Sequence, residues 1–169
     1  MRVTRDDADE VAARLRSATP QIRSVLLFGS ILRDGSGNDA DFVLIVDDAI
    51  ARQWWTEMGE ELRVRMGTRW LPLRRLIKRF VPWIDHVSIR GRKHRRIKRA
   101  SELIGVDIER LVEEYKPGMA IDIFLFPEEW RSGSIPNIPF LRTFADVIRD
   151  HDETRMFLER VARGAVEVA

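Results

Sequence analysis

Apolar positions along the chain form three short continuous runs, separated by stretches in which they recur with helical spacing. Ala8, Val11, Ala12 and Leu15 recur three or four apart up to Pro20, and Thr4 followed by Asp7 resembles a capping box, so an amphipathic helix is predicted first. Ile22 to Phe28 is an apolar run closed by Gly29, and Asp41 to Val46 is a second. Both read as central, buried strands. Beyond Asp47 and Asp48, which suit a cap, Ile50, Trp54, Met58, Leu62 and Met66 fall four apart and predict a helix that buries this stripe.

The middle of the chain is patterned differently. Between Pro72 and Pro82, Leu73, Leu76, Ile77 and Phe80 share one side while Arg74, Arg75, Lys78 and Arg79 cover the other, predicting a short basic amphipathic helix. GRKHRRIKRASELIG is read as helical through a narrow seam of Ile97, Ala100, Leu103 and Ile104. Ile108, Leu111, Val112 and Tyr115 repeat after a cap at Asp107, and KPG stops that helix. MAIDIFLFP is the third strand, ended by Pro127 and interrupted at Asp122. A loop containing SGSIPNIP precedes two further helices, marked by Phe140, Phe144, Val147 and Ile148, then by Phe157, Leu158, Val161 and Ala162. Short strands together with helices predict a domain of mixed α and β structure.

At 169 residues the chain suits a single domain over 1–169, with a basic helical insertion at about 67–105 and C-terminal helices at about 139–165. Without cysteine, disulfides and thiolate zinc sites are excluded. The N-terminus lacks the apolar core of a secretory signal, and no apolar run approaches the ~20 residues that cross a bilayer, so a soluble, cytoplasmic protein is expected. His86, His94 and His151 lack metal-type spacing, and Ser132 and Ser134 lie in a loop with no base nearby, which leaves a serine hydrolase unsupported.

The net charge of +2 conceals an asymmetry. From Arg63 to Arg99 there are 14 Lys or Arg against one acid, Asp85, leaving 15 basic and 26 acidic residues elsewhere. A solvated charged face is one reading of the basic stretch, and a surface that meets a polyanion is the other.

The chemistry-bearing residues cluster around the strands. Side chains alternate along a strand, so Asp39 and Asp41 project to the same side, about 6 to 7 Å apart at their α-carbons. Asp122 sits between Ile121 and Ile123, where an ionised carboxylate without compensation costs several kcal/mol. Either an arginine compensates it or it joins Asp39 and Asp41 around hard divalent cations. Three carboxylates on neighbouring strands supply ligands for two magnesium ions, the arrangement that serves phosphoryl and nucleotidyl transfer. GSILRDGSGN taken alone reads as a simple turn; the other reading is a phosphate site in which Gly29 lets a phosphate approach the backbone, Ser30 adds a hydroxyl donor and Arg33 adds a charge-assisted contact.

F-G-S, a nearby arginine, and then D-A-D running into an apolar strand resemble the signature of the DNA polymerase beta-like nucleotidyltransferase superfamily, here over Ile22 to Asp47 and Met119 to Phe126. The resemblance implies the α+β nucleotidyltransferase fold, a short mixed β-sheet packed with helices beside the basic helical insertion, and an enzyme that moves a nucleoside monophosphate from an NTP to a hydroxyl acceptor by a two-metal mechanism. It implies that Gly29 and Ser30 bind the triphosphate, that Asp39 and Asp41 ligate Mg2+ or Mn2+, and that Asp122 is the third carboxylate and activates the acceptor. Eight residues separate Ser30 from Asp39, a shorter loop than in minimal members. Small stand-alone proteins resembling this one include toxin and antitoxin partners that nucleotidylate tRNA or protein.

The basic insertion suggests the acceptor. Arg74, Arg75, Lys78, Arg79, Arg92, Lys93, Arg95, Arg96, Lys98 and Arg99 offer phosphate contacts, interleaved with Trp70, Phe80, Trp83 and His94 on which bases stack. RNA or tRNA is therefore the expected acceptor, with a protein side chain next. The other reading of Trp70 and Trp83 is as core residues, the reading favoured for Trp54 by its stripe. WLPLRRLIKRF is too short a helix, without a lipidation signal, to favour a membrane surface. The rival expectation is a catalytically inactive nucleotidyltransferase-like module that binds nucleic acid.

Overall fold

The computed structural model describes residues 1–67, 90–132, 161 and 163–169, with side chains described for 1–57, 97–130, 161 and 163–169. The predicted Pro72–Pro82 helix with Arg74, Arg75, Lys78 and Arg79, and the predicted loop and C-terminal helices over 133–160, lie outside the described residues. So do the side chains of Arg92, Lys93, Arg95 and Arg96.

Strand β1 (Val3–Thr4) leads directly into helix α1 (Arg5–Ala18). Thr4 caps the helix as its sequence pattern predicts. Its hydroxyl oxygen accepts from the Asp7 amide at 3.2 Å, while the Asp7 carboxylate accepts from the Thr4 amide at 2.8 Å. Strand β2 (Ile22–Phe28), the single-turn helix α2 (Ser30–Asp34), strand β3 (Ser36–Gly37) and strand β4 (Ala40–Val46) follow. Helix α3 (Asp48–Gly67) begins at the expected aspartates. Helices α4 (Arg90–Ile104) and α5 (Ile108–Tyr115) precede strand β5 (Ile121–Pro127), a 3-10 turn at Glu128–Ser132 and strand β6 (Val166–Glu167).

Four strands make one sheet in the order β5-β4-β2-β6, and β1 pairs with β3 in a separate two-stranded ribbon. β2 runs antiparallel to β4 and β6, while β5 runs parallel to β4. The sheet is mixed, and with the helices packed on it the fold is α+β. A parallel neighbour requires a long crossover, which α3, α4 and α5 serve here. The central strands are apolar on both faces: Phe42 through Val46 and Val25 and Leu27 are fully buried.

Helix α3 packs on β5 through aromatic side chains. Trp54 meets Phe124 edge-on with centroids 6.4 Å apart, Trp55 lies 5.1 Å from Phe126, and Phe126 stacks on Trp130 at 4.5 Å. The Trp55 indole donates to the Leu125 carbonyl at 2.6 Å, tying the helix to strand backbone as well as to side chains. Trp54 is 1% exposed, in keeping with its assignment to the core. Ile97, Ala100 and Ile104 are buried and Leu103 partly so, which makes the seam read from the sequence the inward face of α4.

Two features went unforeseen. β1 and β3 are only two residues each, too short to show alternation, and β6 is an exposed Val-Glu pair. Its neighbours nonetheless bond to the sheet, the Val25 amide donating to the Ala169 carbonyl at 2.6 Å. Among the described residues no helix is long and apolar enough to cross a membrane.

Candidate functional site

The ladder between β4 and β5 places Ala40 opposite Ile121 and Asp41 opposite Asp122. Paired residues on adjacent strands project to the same face, with the strands about 4.8 Å apart, so the two aspartates stand side by side. Asp39 is one residue short of β4, and the Ala40 amide donates to the Ala120 carbonyl at 3.0 Å, which fixes where the strand begins. Asp39, Asp41 and Asp122 each offer a carboxylate oxygen, and these three atoms all lie within 4.8 Å of one another.

The three acids differ in their surroundings. Asp39 and Asp41 are half-buried, whereas Asp122 is 1% exposed. Asp122 makes contacts inside the protein, although its Oδ2 atom receives no hydrogen bond from the described residues. Beneath the cluster the same face of the sheet is aromatic, with Phe28, the partner of Asp41 across β2, lying 5.9 Å from Phe124. A dry floor of this kind strengthens every charge interaction above it.

The turn from β2 into α2 closes over the acids. Gly29 has φ +84°, and a β-carbon there would stand 2.1 Å from Asp41 Oδ2. Only glycine adopts this backbone and leaves the space for the carboxylate. Ser30 follows, half-buried, and Arg33 is exposed on α2 with its guanidinium 3.6 Å from Asp34. Gly37, which the sequence pattern left unremarked, is buried against the Ser30 hydroxyl. Its one signal is its place as the last glycine of the DGSGN loop.

Comparison of the chain with protein-family models, curated proteins and solved structures finds no match.

The donor set is three carboxylate oxygens held in a small volume, the chemistry that hard divalent cations select over zinc or copper. The turn at Gly29 seats the Asp41 carboxylate directly against the backbone that leads into α2. A cleft of about 740 Å³ lies next to the start of β5, lined by buried Ile97, Val112, Met119 and Ile121 and by exposed Asp107 and Glu113. It borders the residue that precedes Asp122.

Of the basic residues, Lys98 is exposed. Arg99 is committed to the fold: Nε and Nη2 donate to Glu57 at 2.6 and 2.7 Å, and Nη1 donates to Glu102 at 2.8 Å. These bonds hold the guanidinium above its ordinary pKa and the Glu57 carboxyl below its own. Arg99 thus joins α4 to α3.

Proposed function

We propose that this chain is a metal-dependent nucleotidyltransferase built on the nucleotidyltransferase fold, moving a nucleoside monophosphate from an NTP to a hydroxyl acceptor. The observation that carries the reading is the convergence of Asp39, Asp41 and Asp122 within 4.8 Å, the last two on paired strands and the first just ahead of β4. Like charges so close repel one another unless a cation or proton intervenes. Asp39, Asp41 and Asp122 would hold Mg2+ or Mn2+, which when bound neutralises charge on the transferring phosphoryl group.

The remaining roles fall to groups of the chain itself. The glycine turn at Gly29 and the Ser30 hydroxyl receive the triphosphate, and Arg33 adds positive charge at the edge of the turn. The acceptor oxygen bonds to the α-phosphorus as the bond to the β-phosphate bridge breaks and pyrophosphate leaves. Asp122 orients the acceptor hydroxyl and takes its proton. An RNA acceptor is favoured by the excess of positive charge between Arg63 and Arg99, with a protein hydroxyl second.

The test incubates the protein with each labelled NTP, Mg2+ or Mn2+, and total RNA or cell lysate. Label on RNA or on protein supports transfer and names the acceptor class, and Asp39→Ala with Asp41→Ala abolishes it. Equal labelling by the double variant overturns the site. The second reading, a binding module without catalysis, draws on the pairing of Arg33 with Asp34 and on the eight-residue loop between Ser30 and Asp39. It expects no labelling but a salt-dependent RNA affinity that survives both substitutions.

A further inference from the structure

Gly37 is buried, and the point where its β-carbon would lie is 2.5 Å from Ser30 Oγ, 3.0 Å from the Asp39 carbonyl oxygen and 3.2 Å from Ile31 Cγ1. The serine hydroxyl and the backbone of the first aspartate therefore flank one small space, which only the absence of a side chain keeps available. The loop cannot easily withdraw to make room. Gly37 pairs with Val3 and Ser36 with Thr4, and the Arg5 amide donates to the Gly35 carbonyl at 3.1 Å, so β1 and the start of α1 brace it from behind.

A hydroxyl on a single rotatable bond behaves differently from this braced backbone. Faced with a methyl group at position 37, the cheapest response is for Ser30 to change its χ1 well, which turns Oγ off the glycine. We propose that Gly37 is a positioning residue: by leaving room for the Ser30 hydroxyl in its present rotamer, beside the backbone of Asp39 and with β1 as the brace, it sets where that hydroxyl meets the ligand that the acids address. The inference rests on the nucleotidyltransferase reading, with the triphosphate as that ligand. Its specific content is a coupling between positions 37 and 30.

The experiment is a double-mutant cycle read by equilibrium dialysis of ATP, GTP, CTP and UTP with Mg2+, with Tm measured on every protein. Gly37→Ala is expected to raise the Kd of the bound nucleotide roughly tenfold, the loss of one hydrogen bond to a charged group. Ser30→Ala is expected to do the same, and Ser30→Ala/Gly37→Ala no more than either alone, because the closest of the three contacts goes with the hydroxyl and the other two, at 3.0 and 3.2 Å, need shifts of only a few tenths of an ångström. Should Gly37→Ala fail to fold while the double variant folds, the contact is again with Ser30 and the proposal stands. A Gly37→Ala protein that binds like wild type, effects that add, or a double variant that also fails to fold each overturn the positioning role. A wild-type protein that binds none of the four nucleotides overturns the underlying reading, and the two failures are thereby told apart.

Discussion

Gly29 lies against Asp41 so closely that a methyl group at position 29 would stand 2.1 Å from the aspartate's Oδ2. The turn that leaves β2 and the carboxylate that opens β4 are therefore fitted to each other before any ligand arrives. Gly29→Ala is expected to lower stability by about 1–3 kcal/mol, because alanine at φ +84° is strained and the carboxylate must move. Thermal unfolding should show a Tm lower by several degrees, and NTP labelling should be lost even below that temperature.

The crowding of Asp39, Asp41 and Asp122 predicts a trade of stability for cation binding. In chelator, Asp122→Asn should raise Tm, because one of the mutually repelling charges is gone. Adding Mg2+ or Mn2+ should raise the Tm of the wild type and leave that of Asp122→Asn nearly unchanged, since only the wild type offers the full ligand set. Differential scanning fluorimetry with and without chelator reads both effects. A wild-type Tm indifferent to either cation would contradict the expected metal site.

Asp7 sets the acid limit of the fold. Its carboxylate accepts from Lys116 Nζ at 2.6 Å and from the Tyr115 hydroxyl at 3.3 Å, besides capping α1. The Lys116 bond, opposed by burial and aided by Thr4, brings its pKa down from 3.8 to about 2. A carboxyl depressed in the folded state contributes its stability in full above pH 3.8 and loses it as pH falls towards 2. The contribution is about 2 kcal/mol. Asp7→Asn should therefore be less stable than wild type at pH 6, with the gap closing in urea melts taken down to pH 2 to 3.

Lys98 and Arg99 are neighbours in the basic segment with different tasks. Arg99→Ala should cost less than ~1 kcal/mol, as its pairs with Glu57 and Glu102 are more than a third exposed and screened by solvent. Lys98→Ala should leave Tm unchanged. If RNA is the acceptor, Lys98→Ala should also reduce the slope of log K against log salt by about 1.

The pattern of apolar residues was sufficient for the three long strands, and for α1, α3 and α5 at their N-terminal ends, because local spacing and caps such as Thr4 and Asp107 carry that information. The Asp39-x-Asp41 spacing likewise made a same-side acidic pair legible, and the cost of isolating Asp122 among isoleucines marked it as needing company. Position along a strand says nothing about register, however. That Asp122 meets Asp41, when a slip of one residue would have turned it to the opposite face, was decided by the β4–β5 ladder. Tertiary packing also assigned Arg99 to a bond between helices, since charge alone cannot distinguish an ion-paired arginine from one held ready for phosphate. The tight seats at Gly29 and Gly37 depend on distances between segments that are separate in sequence, and so emerge only once β1, β3 and the sheet have closed around the turn.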